Sequence, residues 1–182
     1  PPAGISPPGP NDVVVLPGSQ GGLATSFRAL VGEGRPLLME SPTYWGAILA
    51  AAQAGVTVIP ISSGANGPDP EELSRAFEQT GARAFYAQPS FASPTGALWS
   101  PSLADKVLDT VRRHGAFLIE DSSALDFGIT ADPSPIAARD DSGHVVYLRA
   151  LTKSVSPSVR VAGLIARGPA YERILADTQA DS

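Results

Sequence analysis

Only two of the 13 basic residues in this 182-residue chain are lysines, Lys106 and Lys153. Lys153 lies in "LRALTKSVSPSVR", residues 148–160, directly after the apolar run "HVVYL". A lysine amine can shed its proton and attack a carbonyl, whereas a guanidinium stays charged. Other polar groups also follow apolar runs. Asp121 ends "AFLIED", the glycine-rich "PGSQGG" (17–22) follows "DVVVL", and "QPSFASPTG" (88–96) follows "ARAFYA". Thr152 and Arg160 flank Lys153. Each has an ordinary explanation alone: a strand-end aspartate is commonly a cap, a glycine-rich turn is commonly only a turn, and a lone lysine is commonly a solvated charge. What counts is whether the fold gathers them.

The pattern along the chain says that it does. "DVVVL", "PLLME", "VTVIPI", "ARAFYA", "AFLIED", "HVVYL" and "VAGLIA" read as strands. Helical stretches fall between them: one with Leu23, Phe27, Leu30 and Val31 on a face, "YWGAILAAAQAG" stopped by Gly55, "DPEELSRAFEQTG", and "SPSLADKVLDTVRRHG" with Leu103, Val107, Leu108 and Val111 inward. Asp69 is the predicted cap of the third, with Pro70 at its first position and Glu72 placed for a capping box; Ser100 caps the fourth. Near-continuous apolar strands alternating with helices predict an α/β fold, a three-layer α/β/α sandwich around a mainly parallel sheet. Ligands of such sheets gather at the carboxyl ends of the strands, where every group named above falls.

Composition narrows the function classes. A net charge of −5 gives no general basic face for nucleic acid, so any DNA-binding part is expected outside this segment. There is no cysteine for a disulfide framework or thiolate metal site, and no residue spacing asks for a metal. No apolar run approaches the ~18 residues that span a bilayer, and a cytoplasmic protein is the expectation. Residues 1–12 read as an irregular lead-in and 13–182 as one domain. Both ends read as cuts in a longer polypeptide, with the closing "GPAYERILADTQADS" a helix lacking its packing partners.

An amine, a carboxylate, a phosphate-cradling turn and an arginine at one sheet edge suit pyridoxal 5′-phosphate. That cofactor needs a lysine to form an imine with its aldehyde, an acid to keep its ring nitrogen protonated, and anion-binding groups for its phosphate.

From about Val13 to Arg167 the chain resembles the fold-type I pyridoxal-phosphate proteins, the aspartate aminotransferase-like family. The resemblance implies that Lys153 is the imine lysine and the catalytic residue, with Thr152 and Arg160 as phosphate contacts. It implies that Asp121 binds the ring nitrogen, and the separation of 32 residues (153 − 121) fits the family. Gly18, Ser19 and Gln20 would form the phosphate turn, and Tyr44 of "ESPTYWG" would stack on the ring. "YAQPSFASPTG", "IEDSSALDFG" and "TKSVSPSVRVAG" are most similar to the MocR subfamily of GntR-type bacterial regulators. There a winged helix-turn-helix domain is joined to an aminotransferase-like domain that senses a ligand. This implies a cofactor-binding effector domain that meets an amine or amino-acid effector, forms a homodimer, and reaches DNA only through a domain absent from this chain. A working aminotransferase is the alternative, and a remnant that no longer binds cofactor is a third reading.

Two positions depart from the family. The asparagine at or near the residue before "PTG" is Ser93 here, and the tyrosine shortly after the aspartate is replaced by Ser123 and Ala124. In the family both touch the ring 3′-oxygen, which helps set the imine pKa. Ser93 and Ser123 stand there as the candidate cofactor contacts. Either Ser93 or a water fills in at that oxygen, or the loss of both usual partners slows transamination more than cofactor binding. Trp45 and Trp99 read as packing residues, His114 as a helix-end residue, His144 as exposed, Glu40 and Glu120 as buried partners, and "ADPSPIAARDDSGH" as a polar loop.

Overall fold

The computed structural model describes residues 7–124, 133–150 and 161–180. The elements, in chain order, are β1 (Val13–Leu16), α1 (Ser19–Leu30), β2 (Pro36–Ser41), α2 (Trp45–Gln53), β3 (Thr57–Gly64), β4 (Gly67–Pro68), α3 (Pro70–Thr80), β5 (Ala84–Ala87), α4 (Pro101–Arg113), β6 (Phe117–Asp121), β7 (Val145–Ala150), β8 (Ala162–Ile165) and α5 (Gly168–Ala180). Every expected strand is present. The sequence predicts seven strands; among the described residues the sheet has eight, ordered β1-β8-β7-β6-β5-β2-β3-β4. The extra strand is the two-residue β4, folded back antiparallel on the end of β3.

The five inner strands β7, β6, β5, β2 and β3 are parallel, while β8 runs antiparallel to both β7 and β1. Successive side chains on a strand point to opposite faces, and this alternation builds two cores. Leu37, Met39, Tyr86, Ile119, Val146 and Leu148 pack on one face with α1, α2 and α5. Leu38, Phe85, Leu118 and Val145 pack on the other with α3 and α4. Leu23 and Phe27 of α1 are fully buried, each contributing about 1.5–3 kcal/mol. β2 is followed by β3 on one side, while β5, paired to its other side, is followed by β6 further out, so the connections after β2 and β5 part in opposite directions and open a crevice at the carboxyl edge of the sheet.

The helix signals hold with local corrections. Asp69 caps α3 by accepting from Glu71 N, and Ser100 caps α4 by accepting from Leu103 N. Glu72 does not close a capping box; its carboxylate accepts from Ser62 N of β3 at 3.1 Å, tying helix to sheet. Helix α5 does not lack partners. It packs on α1 through buried Ala170 and Ile174, with Arg28 bonded to Asp177 at 2.8 Å. Trp99 is buried as expected, but Trp45 is 66% exposed, on the solvent side of α2. His114 ends α4 against Ser74 and the Phe77 ring. His144 is half-buried, its Nδ1 donating to Ala116 O at 2.7 Å.

The described part of the polar loop is built in. Glu120 accepts from Ile136 N and Ala137 N, and buried Asp140 pairs with Arg112 at 3.0 Å. Before β1, a single 3-10 turn (Pro10–Asp12) is held by Asp12, which accepts from Gly9 N. No described helix is long and apolar enough to cross a membrane.

Candidate functional site

Alternation along β6 decides the site. Ile119 faces the α1 side and Glu120 the α4 side, so Asp121 returns to the α1 side at the strand's carboxyl end. It is 2% exposed. A buried carboxylate needs donors, and four among the described residues meet it. Oδ2 accepts from Tyr86 OH at 2.9 Å and Gln88 Nε2 at 3.1 Å. Oδ1 accepts from Ser123 N at 3.0 Å and, in a shorter bond, from Ser123 Oγ. Tyr86 is fully buried, edge-on to Phe27. Burial, and then the Asp121 charge, push its phenol well above the ordinary tyrosine range, so it stays a donor.

The neighbouring strand ends supply the other parts. After β1 the chain turns at Gly18, whose φ of 88° favours glycine, and enters α1. Gly22 N is the first amide to bond back, to Gly18 O at 3.1 Å. The N–H groups of Ser19, Gln20 and Gly21 therefore have no acceptor within the helix, at its positive dipole end. Gln20 Nε2 donates to Gly46 O at 2.7 Å and locks this turn to the start of α2. Tyr44 is the residue just before α2. A Cβ at Gly46 would collide with the Tyr44 ring, so that glycine makes room for it. Partial burial and the nearby Asp121 charge raise the Tyr44 phenol, so the two side chains share one electrostatic environment. One residue earlier, Thr43 Oγ1 is buried with no hydrogen-bond partner among the described residues.

Ser93 lies in the turn after β5. That turn is closed by a Ser90–Leu98 bridge and by Ser93 N donating to Gln88 Oε1 at 3.0 Å. Thus the structure brings together Gly18, Ser19, Gln20 and Tyr44, and links Ser93 and Ser123 to Asp121. Thr152, Lys153 and Arg160 lie outside the described residues; β7, which leads to them, pairs Leu148 with Asp121 and ends at Ala150. Sequence reasoning missed Tyr86 and Gln88. The available signal was Gln88 itself, a polar side chain immediately after a fully apolar strand.

The donor set fits pyridoxal 5′-phosphate: helix N–H groups for a phosphate, an aromatic ring for a planar heterocycle, a buried carboxylate for a ring N–H⁺, and beside Tyr44 a Thr43 hydroxyl without a partner among the described residues. A doubly wound sheet with these groups at its carboxyl edge defines an aminotransferase-like cofactor domain. The chain belongs to the aminotransferase class I and II family, whose model matches residues 7–179, and the cofactor of that fold is pyridoxal 5′-phosphate.

The chain is 32% identical over 170 residues to the 2-aminoadipate transaminase of Thermus thermophilus, covering 91% of this chain and 43% of that protein. It is 29% identical over 174 residues to a probable rhizopine catabolism regulatory protein, MocR, of Rhizobium meliloti, covering 93% and 34%. The crystal structure of LysN, an α-aminoadipate aminotransferase of Thermus thermophilus complexed with N-(5′-phosphopyridoxyl)-L-leucine, superposes with a TM-score of 0.84 at 31% identity. It covers 94% of this chain and 46% of that one. The chain spans less than half the length of these relatives.

Proposed function

We propose that the chain is the pyridoxal-phosphate-binding effector domain of a MocR/GntR-type transcriptional regulator. Lys153 holds the cofactor until an amine or amino-acid effector takes the lysine's place. When bound, the cofactor supplies an aldehyde that condenses with Lys153 Nζ, releasing water, and a protonated ring that accepts electron density. The N–H groups opening α1, with Thr152 and Arg160, hold the phosphate. Asp121 holds the ring N–H proton, Tyr86 and Gln88 hold Asp121, and Tyr44 covers one face of the ring and excludes water.

The observation that carries the sensor reading is Ser123. The resemblance places a tyrosine for the ring 3′-oxygen shortly after the aspartate. Here the Ser123 hydroxyl and N–H both go to Asp121 Oδ1, and Ala124 has no polar side chain. Exchange of Lys153 for another amine needs only an accessible C=N bond and a free amine. Completing transamination also needs Lys153 to carry a proton between two carbon atoms, with the ring locked in place. This departure from the family favours the first task over the second. The MocR relative supports this reading. The 2-aminoadipate transaminase, at 32% identity, supports the second reading, a working aminotransferase.

In the regulator reading a second copy of the chain is the partner, the protein is cytoplasmic, and DNA is met through a helix-turn-helix domain outside this chain. The test is single-turnover spectroscopy of the full-length, cofactor-loaded protein with a panel of amino acids. Fast spectral exchange with slow conversion of the cofactor to its amine form is the expected result. Conversion near the ~10 s⁻¹ typical of enzymes would make the protein an aminotransferase.

A further inference from the structure

The geometry points to Gln88 as a positioning residue that fixes Asp121 and the Ser93 turn relative to one another. This rests on the reading of Asp121 as the ring-nitrogen partner. Three bonds converge on Gln88 from three parts of the crevice. Its backbone N donates to Glu40 Oε2 at 2.8 Å, anchoring the chain leaving β5 to the end of β2. Its Nε2 donates to Asp121 Oδ2 at 3.1 Å, across to β6. Its Oε1 accepts from Ser93 N at 3.0 Å, at the tip of the following turn. Gln88 is 5% exposed, and Glu40, itself buried, is held on its other oxygen by Ser63 Oγ at 2.8 Å.

The two side-chain contacts are opposite in polarity. A carboxylate accepts only a donor and a backbone N–H meets only an acceptor, so the amide has one permitted orientation. Turning it over would set its oxygen against the Asp121 carboxylate and its NH₂ against Ser93 N–H. The link is therefore directional: Asp121 and the Ser93 turn cannot shift independently without leaving a buried amide unpaired. Asp121 is the residue read as the ring-nitrogen partner and Ser93 stands where the family resemblance places a contact to the ring 3′-oxygen, and one side chain sets the distance between them. Among the described residues neither neighbour substitutes for it, because Tyr86 bonds to Asp121 and not to the turn, and the Ser90–Leu98 bridge closes the turn without reaching Asp121.

The experiment is a double-mutant cycle on pyridoxal phosphate binding, with Gln88→Leu, Asp121→Asn and both together in the full chain. Dissociation constants come from the absorbance of the bound cofactor, and melting temperatures are recorded alongside. Gln88→Leu keeps the side-chain volume and removes both polar contacts. The expected result is about a three- to ten-fold weaker affinity and a shifted absorbance band, with a much smaller change in the Asp121→Asn background. Gln88→Glu keeps the acceptor for Ser93 N but sets a carboxylate against Asp121, and it should weaken binding more than Gln88→Leu. An unchanged affinity for Gln88→Leu in a wild-type background that binds the cofactor overturns the proposal alone. So does an equal loss in both backgrounds, which would make Gln88 a structural residue. A wild-type chain that does not bind pyridoxal phosphate overturns this proposal together with the reading beneath it.

Discussion

Tyr86 and Asp121 meet inside the sheet, the phenol donating to carboxylate Oδ2 at 2.9 Å with neither side chain reaching solvent. The parallel pairing of β5 and β6 sets Tyr86 beside Ile119, with its ring on the face that Asp121 also takes. Removing the hydroxyl leaves the ring packed on Phe27 and takes one donor from the carboxylate. Tyr86→Phe should cost about 1 kcal/mol of stability and weaken pyridoxal phosphate binding a few-fold. Denaturant titration and cofactor titration of the same samples check both. An increase in affinity would show that Tyr86 competes with the ring nitrogen for Asp121.

Gly46 separates fold from site. In a helix, alanine is favoured over glycine by roughly 0.5–1 kcal/mol, and here the three atoms nearest an added methyl all belong to the Tyr44 side chain. Gly46→Ala should leave the melting temperature unchanged or higher while lowering cofactor affinity, because Tyr44 must swing off its position. Equal affinity in the two proteins would remove Tyr44 from the site.

Gly22 tests how α1 is seated. A Cβ there would lie 2.7 Å from Leu148 Cδ1 on β7, so the helix that opens at the turn of residues 18–20 rests directly on the strand leading to Lys153. Gly22→Val should destabilise by about 1–3 kcal/mol, read from the denaturation midpoint. A neutral result would mean that α1 is not held against β7.

Much of this was legible in the residues, for definable reasons. Asp121 stands out because it ends an apolar run, and the turn of residues 18–20 because "PGSQGG" joins a strand to a helix. Caps at Asp69 and Ser100 are local, and they appear where the residue types put them. What was missed depends on register. Tyr86 in "ARAFYA" reads as core, and only pairing with β6 gives its hydroxyl a partner. Glu72 reads as half of a capping box until β3 offers Ser62 N. The partner of α5 is α1, some 150 residues earlier in sequence, at a distance periodicity does not reach.

Glu120 gives the fold a pH dependence of defined sign. Burial pushes its carboxyl up to about 7, against the hydrogen bonds from Ala137, Ile136 and Ser122 and the charge of Arg139. Folded protein therefore holds this proton more tightly than the unfolded chain, where the value is 4.5. Stability from this group is complete below the unfolded value and is lost as pH rises through the folded one, on the order of 3 kcal/mol in all. Unfolding free energies from pH 5 to 8 should fall for the wild type relative to Glu120→Gln. Parallel profiles, or a wild type that gains on the variant as pH rises, would contradict the assignment.

Everything proposed for the site depends on Lys153 carrying the cofactor. The direct measurement is borohydride reduction of protein loaded with pyridoxal phosphate, followed by peptide mapping. Reduction fixes the C=N bond as a stable secondary amine, so the modified lysine can be read from the peptide mass. One phosphopyridoxyl group on Lys153, lost in Lys153→Ala, is the predicted result. A group on Lys106, or no modification of a protein shown to be folded, would contradict the account.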